Sequence, residues 1–223
     1  MKRGTLFILA IAALGGAGFA GASHANNPVD GTGLVRLQAR GLDEFYVRAG
    51  TDLAGYRSVI VDPAQVEFRK GWLKSINATR GVSRWLVPED ARNITDDAAT
   101  SLNGIVVEAF RLRGYAIATS PDAGVLRVSP RVTDLFVNAP DVASAYPQAL
   151  FSVDAGEATL ILEVRDAATG TLLARVVDRG TARELSSRIN RALGVTNRFW
   201  FDAMFTQWAA NCIREFETAR PAR

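Results

Sequence analysis

Histidine is the commonest general base, proton shuttle and zinc ligand, yet it occurs once in the 223 residues, as His24. That residue lies inside a stretch that reads as a secretion signal, so the exported chain is expected to hold none. Cysteine also occurs once, as Cys212, which leaves no intrachain disulfide and no thiolate cage for a metal. The sequence carries no G-x-S-x-G elbow, S-x-x-K, Walker loop or EF-hand spacing. A serine nucleophile such as Ser83 would need lysine as its base, and neither Lys70 nor Lys74 has a recognisable partner. Gly16-x-Gly18-x-x-Gly21 has dinucleotide-binding spacing, but it lies in the signal with no strand ahead of it. No cofactor and no metal are expected.

Two kinds of side chain remain for chemistry. Paired carboxylates can hydrolyse a glycosidic bond without other help, and Asp52, Asp62, Glu67, Asp134, Asp154 and Glu157 are candidates by type. Local structure explains several acids more simply. Asp62 before Pro63 forms a turn, Glu89 and Asp90 complement a helix dipole, and Glu163 faces an arginine across a hairpin. Arginine is the other kind. Arg127 and Arg131 on one predicted strand, and Arg175, Arg179 and Arg183 on another, share outward parity, a stripe suited to an anionic envelope component or an acidic partner protein.

The elements that position these groups follow from periodicity. Residues 1–25 combine basic Lys2 and Arg3, an apolar run from Leu6 to Ala20, and small residues at Ser23 and Ala25, which predicts a cleaved signal. Cleavage is expected after Ala25, with Ala22 as the second site. Cleavage after Ala25 would leave 24 basic against 23 acidic residues, a balance that gives no reason to expect nucleic acid. Residues 26–41 are aperiodic and predicted to be a flexible leader, with order beginning near Leu42. Strands are predicted at Tyr56–Val61, Val66–Phe68, Tyr115–Thr119 and Val125–Asn138, the last at a sheet edge or bulge because of Pro130. A helix starting at Pro88 carries Leu102, Ile105, Val106, Ala109 and Phe110 at helical spacing and stops before Gly114.

From Glu157 to Asp178 the alternation predicts a hairpin with Gly170 left-handed in its loop, Leu162 opposite Val176 and Glu163 opposite Arg175. A last helix, about 196–218, sets Phe201, Phe205, Trp208, Cys212 and Phe216 on one stripe. Trp200 and Met204 lie off that stripe and are candidates for a protein interface or a membrane-facing patch.

The segment Tyr56-Arg-Ser-Val-Ile-Val-Asp62-Pro63-Ala-Gln-Val66-Glu-Phe68, the helix after Pro88, and the hairpin with its Asp166-x-x-Thr169-Gly170 turn together resemble a bacterial envelope family, domain of unknown function 3313. The likeness spans most of residues 42–218. Members are often lipoproteins, whereas this chain has no cysteine directly after its apolar run to be lipidated. The resemblance implies no established activity and no catalytic residues.

The expected architecture is a single α+β domain over 42–218, a mainly antiparallel sheet of about five or six strands with two long helices on one face. The expected function is that of a periplasmic or secreted, non-enzymatic binding or envelope-assembly accessory protein, with membrane association peripheral at most. The alternatives are a carboxylate-based hydrolase of envelope polymers and a structural subunit of an envelope complex.

Overall fold

The computed structural model describes residues 32–138, 156–182 and 197–219, the last of these with side chains from Phe201 onward. Eight strands form one sheet: β1 (Leu34–Leu37), β2 (Glu44–Arg48), β3 (Ser58–Val61), β4 (Gln65–Phe68), β5 (Ala116–Ile117), β6 (Val125–Val137), β7 (Gly156–Asp166) and β8 (Leu172–Thr181). Their order is β1-β2-β8-β7-β6-β3-β5, with β4 also paired to β6. The pairings from β1 through β6 are antiparallel, while β3 and β4 run parallel to β6, and β5 runs parallel to β3. The class is the expected one, with more strands than sequence periodicity resolves. The additions are short: β1 lies in the stretch read as a leader, and four or five residues show too few alternations to stand out.

Among the described residues there are three α-helices, α1 (Trp72–Ala78), α2 (Pro88–Leu112) and α3 (Asn197–Thr218). Pro88 opens α2, where its missing N–H costs nothing, and Asp90 accepts the Val87 N–H at 2.8 Å. Leu102, Val106 and Phe110 of α2 are buried. So are Phe201, Phe205, Trp208, Cys212 and Phe216 of α3, which makes the predicted stripe the core face of that helix. The two helices are also joined by Ser101 to Asp202 and by Arg113 to Glu217 at 3.0 Å. Opposite them, Val128 and Val132 of β6, Leu160, Leu162 and Val164 of β7, and Ala174 and Val176 of β8 form the buried face of the sheet. Each of these valine and leucine side chains contributes about 1.5–3 kcal/mol on leaving water.

The β7–β8 hairpin has the expected register, Leu162 opposite Val176 and Glu163 opposite Arg175, with Gly170 at φ +71°. Asp166 holds its turn by accepting from the Thr169 N–H at 2.8 Å, from the Thr169 hydroxyl at 3.0 Å and from the Tyr56 hydroxyl at 2.9 Å. The Thr169 N–H chiefly, with the hydroxyls, keeps the Asp166 carboxyl below its usual range. Burial, aided by Asp166, pushes Tyr56 up to about 12. Two of the three sequence segments that carry the family resemblance, the one opening at Tyr56 and the hairpin turn at Asp166, therefore touch.

Pro130 corrects an expectation, because β6 is a central strand and not an edge. Val128 turns its carbonyl to the Asp62 N–H at 2.9 Å, and Pro130, two residues on, faces the same side. There β3 has ended at Val61, opposite Val128, and β4 begins at Gln65, opposite Arg131. The missing N–H falls in the gap between two strands, so no ladder bond is lost. The bulge of β6 lies further along, between Thr133 and Phe136, where Asp134 adopts φ +52°.

Candidate functional site

The helices pack on one face of the sheet, and the arginines lie on the other. In β7, in β6 from Arg127 to Thr133 ahead of its bulge, and in β8 from Arg175 on, odd positions point away from the core, which places Arg127, Arg131, Arg175 and Arg179 on a common surface. Arg127, Arg131 and Arg179 are exposed and Arg175 is half-buried. Strands about 4.8 Å apart put β6 and β8 roughly 10 Å from each other across β7, and the register staggers their arginines, with Arg131 level with Ile161 of β7, Arg175 with Glu163 and Arg179 with Thr159. Arg183 lies outside the described residues.

The four differ in how they are held. Arg127 binds the Asp62 carboxylate at 2.9 Å, and Asp62 also accepts the Ser129 hydroxyl at 2.7 Å. Burial alone would raise the Asp62 carboxyl, but the hydrogen bonds from Arg127 and Ser129 and the Arg127 charge hold it low. Arg179 sits 3.7 Å from Asp43 and 3.6 Å from Glu44. Arg131 and Arg175 make no ion pair among the described residues. Glu163, opposite Arg175, bonds instead to Arg165 at 2.8 Å, and the Arg175 Nε is enclosed without an acceptor. Register thus predicts which residues are neighbours but not which pair wins. Arg165, two residues along the same strand as Glu163, outcompetes the cross-strand partner.

A cleft of about 810 Å³ opens where β8 runs on past the start of β2 and α3 crosses it. Arg40, Asp43, Asp178, Gln207, Asn211 and Arg214 supply its polar wall. Its floor is set by Gly180, where a Cβ would lie 2.7 Å from the Met204 sulfur and 3.0 Å from Trp208. Asp178 points to the helix side with 8% of its surface exposed. It accepts the Asp43 N–H at 3.0 Å, and Asp43 in turn accepts the Arg179 N–H at 3.0 Å. Burial pushes the Asp178 carboxyl up to about 6, against the hydrogen bonds that favour its charge. Asn211 donates to the Gly41 carbonyl at 2.7 Å and Arg214 to the Arg40 carbonyl at 2.5 Å. These bonds pin residues 40–43 to α3 and β8. The two carboxylates in the cleft are spent on backbone N–H groups.

The acids named from sequence do not converge. Asp62 is engaged by Arg127, Glu157 by Arg69 at 2.8 Å, Asp134 sits exposed at the bulge, and Asp154 lies outside the described residues. Met204 is fully buried against β8, so it presents no interface; the small residue at Gly180 makes the room for it. The side chain of Trp200 lies outside the described residues. Cys212 is buried, and burial, with a smaller push from Asp178, raises its thiol far above the usual range. Asp178 had a signal in the sequence: it occupies the inward parity of Ala174, Val176 and Gly180, where a charge is out of place.

Residues 31–211 match the family described as Protein of unknown function (DUF3313). The chain belongs to the DUF3313 family. The resemblance carried by the Tyr56–Phe68 segment, the α2 helix and the β7–β8 turn is thereby established, and the match reaches back to include β1. A comparison with curated proteins finds no match. Among solved structures, a PelC variant dodecamer from Paraburkholderia phytofirmans is 12% identical over 78% of this chain and 97% of that one, with a TM-score of 0.40. A putative neuraminyllactose-binding hemagglutinin homolog from Helicobacter pylori is 12% identical over 76% of this chain and 85% of that one, with a TM-score of 0.29. No helix among the described residues is long and apolar enough to cross a membrane.

Proposed function

We propose that this DUF3313 protein is an exported, non-enzymatic binding protein of the bacterial envelope that holds a phosphate-bearing polyanion on its arginine face. The observation that carries the reading is the pair Arg131 and Arg175, which flank β7 on the open side of the sheet without an ion pair among the described residues. Arg127 and Arg179 extend the same surface, each already oriented by a carboxylate. Guanidinium forks at this spacing suit a chain of phosphates better than a single small anion.

Calorimetric titration with soluble inorganic polyphosphate tests this. The wild type should bind, and the affinity should fall as salt rises, since exposed charges are screened within about 8 Å at physiological ionic strength. The variant with Arg127→Gln, Arg131→Gln, Arg175→Gln and Arg179→Gln should keep its fold and lose roughly tenfold or more in affinity. A wild type that ignores polyphosphate would sink the reading. Hydrolysis of an envelope polymer, abolished by one acidic substitution, would put the hydrolase in its place.

A further inference from the structure

Residues 69–87 contain five basic residues, Arg69, Lys70, Lys74, Arg80 and Arg84, and no acidic residue. Arg69 is engaged by Glu157. Arg80 and Arg84 have no carboxylate partner among the described residues, and the Arg80 guanidinium lies 3.5 Å from the Arg84 carbonyl. Burial and the nearby Arg84 charge both favour loss of the Arg80 proton, the mark of two cations kept close without a counter-ion.

The same turn presents large apolar side chains to solvent. Val82 is 74% exposed, Trp85 54% and Val87 52%, while Leu86 between them is buried. The presentation is fixed. Asn77 clamps Leu86 through both sides of its amide, donating to the Leu86 carbonyl at 2.9 Å and accepting the Leu86 N–H at 2.8 Å. The Trp85 indole donates to the Arg80 carbonyl at 3.3 Å. Its one polar group is therefore already satisfied, and the ring can enter an apolar medium without stranding a donor.

We infer that the turn Arg80–Val87 is a membrane-docking element: Val82, Trp85 and Val87 enter the interfacial layer of an anionic bilayer while Arg80 and Arg84 bind its headgroups. Charge decides between a bilayer and a protein partner. A bilayer of anionic lipid meets unpaired guanidinium groups with many phosphates at no fixed geometry, and a tryptophan beside them is the side chain best suited to the interface. The inference does not depend on the arginine face, which lies on other strands.

Co-sedimentation with vesicles tests it. The purified protein should bind vesicles of phosphatidylglycerol and phosphatidylethanolamine roughly tenfold more tightly than vesicles of phosphatidylcholine. Val82→Ser with Trp85→Ser should weaken that binding about tenfold or more, and Arg80→Gln with Arg84→Gln should erase the preference for anionic lipid. Residues 1–25, if still attached, are common to every variant and both vesicle types. The Val82→Ser single variant, at a largely exposed position, guards against unfolding and should show the same direction. Introduced on top of the quadruple arginine-face variant, Val82→Ser with Trp85→Ser should weaken vesicle binding by the same factor as in the wild type, which separates this inference from the polyanion reading. Equal binding to both vesicle types, unchanged binding in the Val82 and Trp85 variants, or Trp85-dependent self-association without vesicle binding would each overturn it.

Discussion

Asp178 is the residue at which environment most changes chemistry. Its carboxyl titrates at about 6 in the folded chain and at about 3.9 when unfolded. Between those values the folded chain keeps a proton that the unfolded chain releases. The stabilising contribution is thus complete below about pH 4 and is lost as pH rises through about 6. Asp178→Asn keeps an acceptor for the Asp43 N–H and removes the charge. At pH 7 it should be more stable than the wild type by on the order of 1 kcal/mol, after allowance for solvent that reaches the cleft. Urea denaturation at pH 4.5 and pH 7 checks this, and an advantage of the same size at both pH values would refute it. Asp166 behaves oppositely. Its carboxyl is held low, so its contribution is present above the unfolded value and fades as pH falls through the lowered one.

Among the elements, the β7–β8 hairpin offers the cleanest test of backbone strain. Gly170 sits at φ +71° with open space where a Cβ would go, so any penalty for substitution is conformational and not steric crowding. Gly170→Val should cost on the order of 1–2 kcal/mol, since a β-branched residue fits the left-handed region badly. A thermal melt of the variant measures it; an unchanged midpoint would mean that the turn relaxes into another form. The hairpin was legible from sequence because alternation over many residues and a glycine at the loop agree. β1 and α1 were not, because four and seven residues carry too little periodicity, and their stability comes from packing. Trp72 shows how: it stacks on Phe68 at 3.7 Å between centroids and donates to the Val137 carbonyl at 3.0 Å, contacts that α1 acquires only in the folded molecule. The arginine face was half legible. Parity put its members on one side, but the choice of Arg165 over Arg175 by Glu163 depends on side-chain reach.

At the scale of the whole molecule, all described helices contribute to one core, and the opposite side of the sheet carries the arginines of β6 and β8 among small polar and a few apolar side chains. That division suits a protein that works by contact at a surface, and it makes export the property to establish first. If residues 1–25 are a signal, cells expressing the full chain should yield a soluble protein that begins at Asn26, or at Ser23 if Ala22 is the cleavage site. N-terminal sequencing of the fractionated protein decides it. An intact Met1 in the membrane fraction would refute the expectation and would change the meaning of the turn at Trp85, which would then be a second anchor beside a first.

The bond from the Arg179 N–H to the Asp43 carboxylate has a consequence for how copies of this protein avoid one another. β8 extends past β2, and that N–H is the next rung a foreign strand would use to extend the sheet. A carboxylate fills the rung where backbone would otherwise go, and it brings a negative charge to repel an incoming edge. Asp43→Ala would leave the rung vacant. Its expected signature is a concentration-dependent tendency to aggregate, seen in light scattering at temperatures well below the melt, with little change in the melt itself.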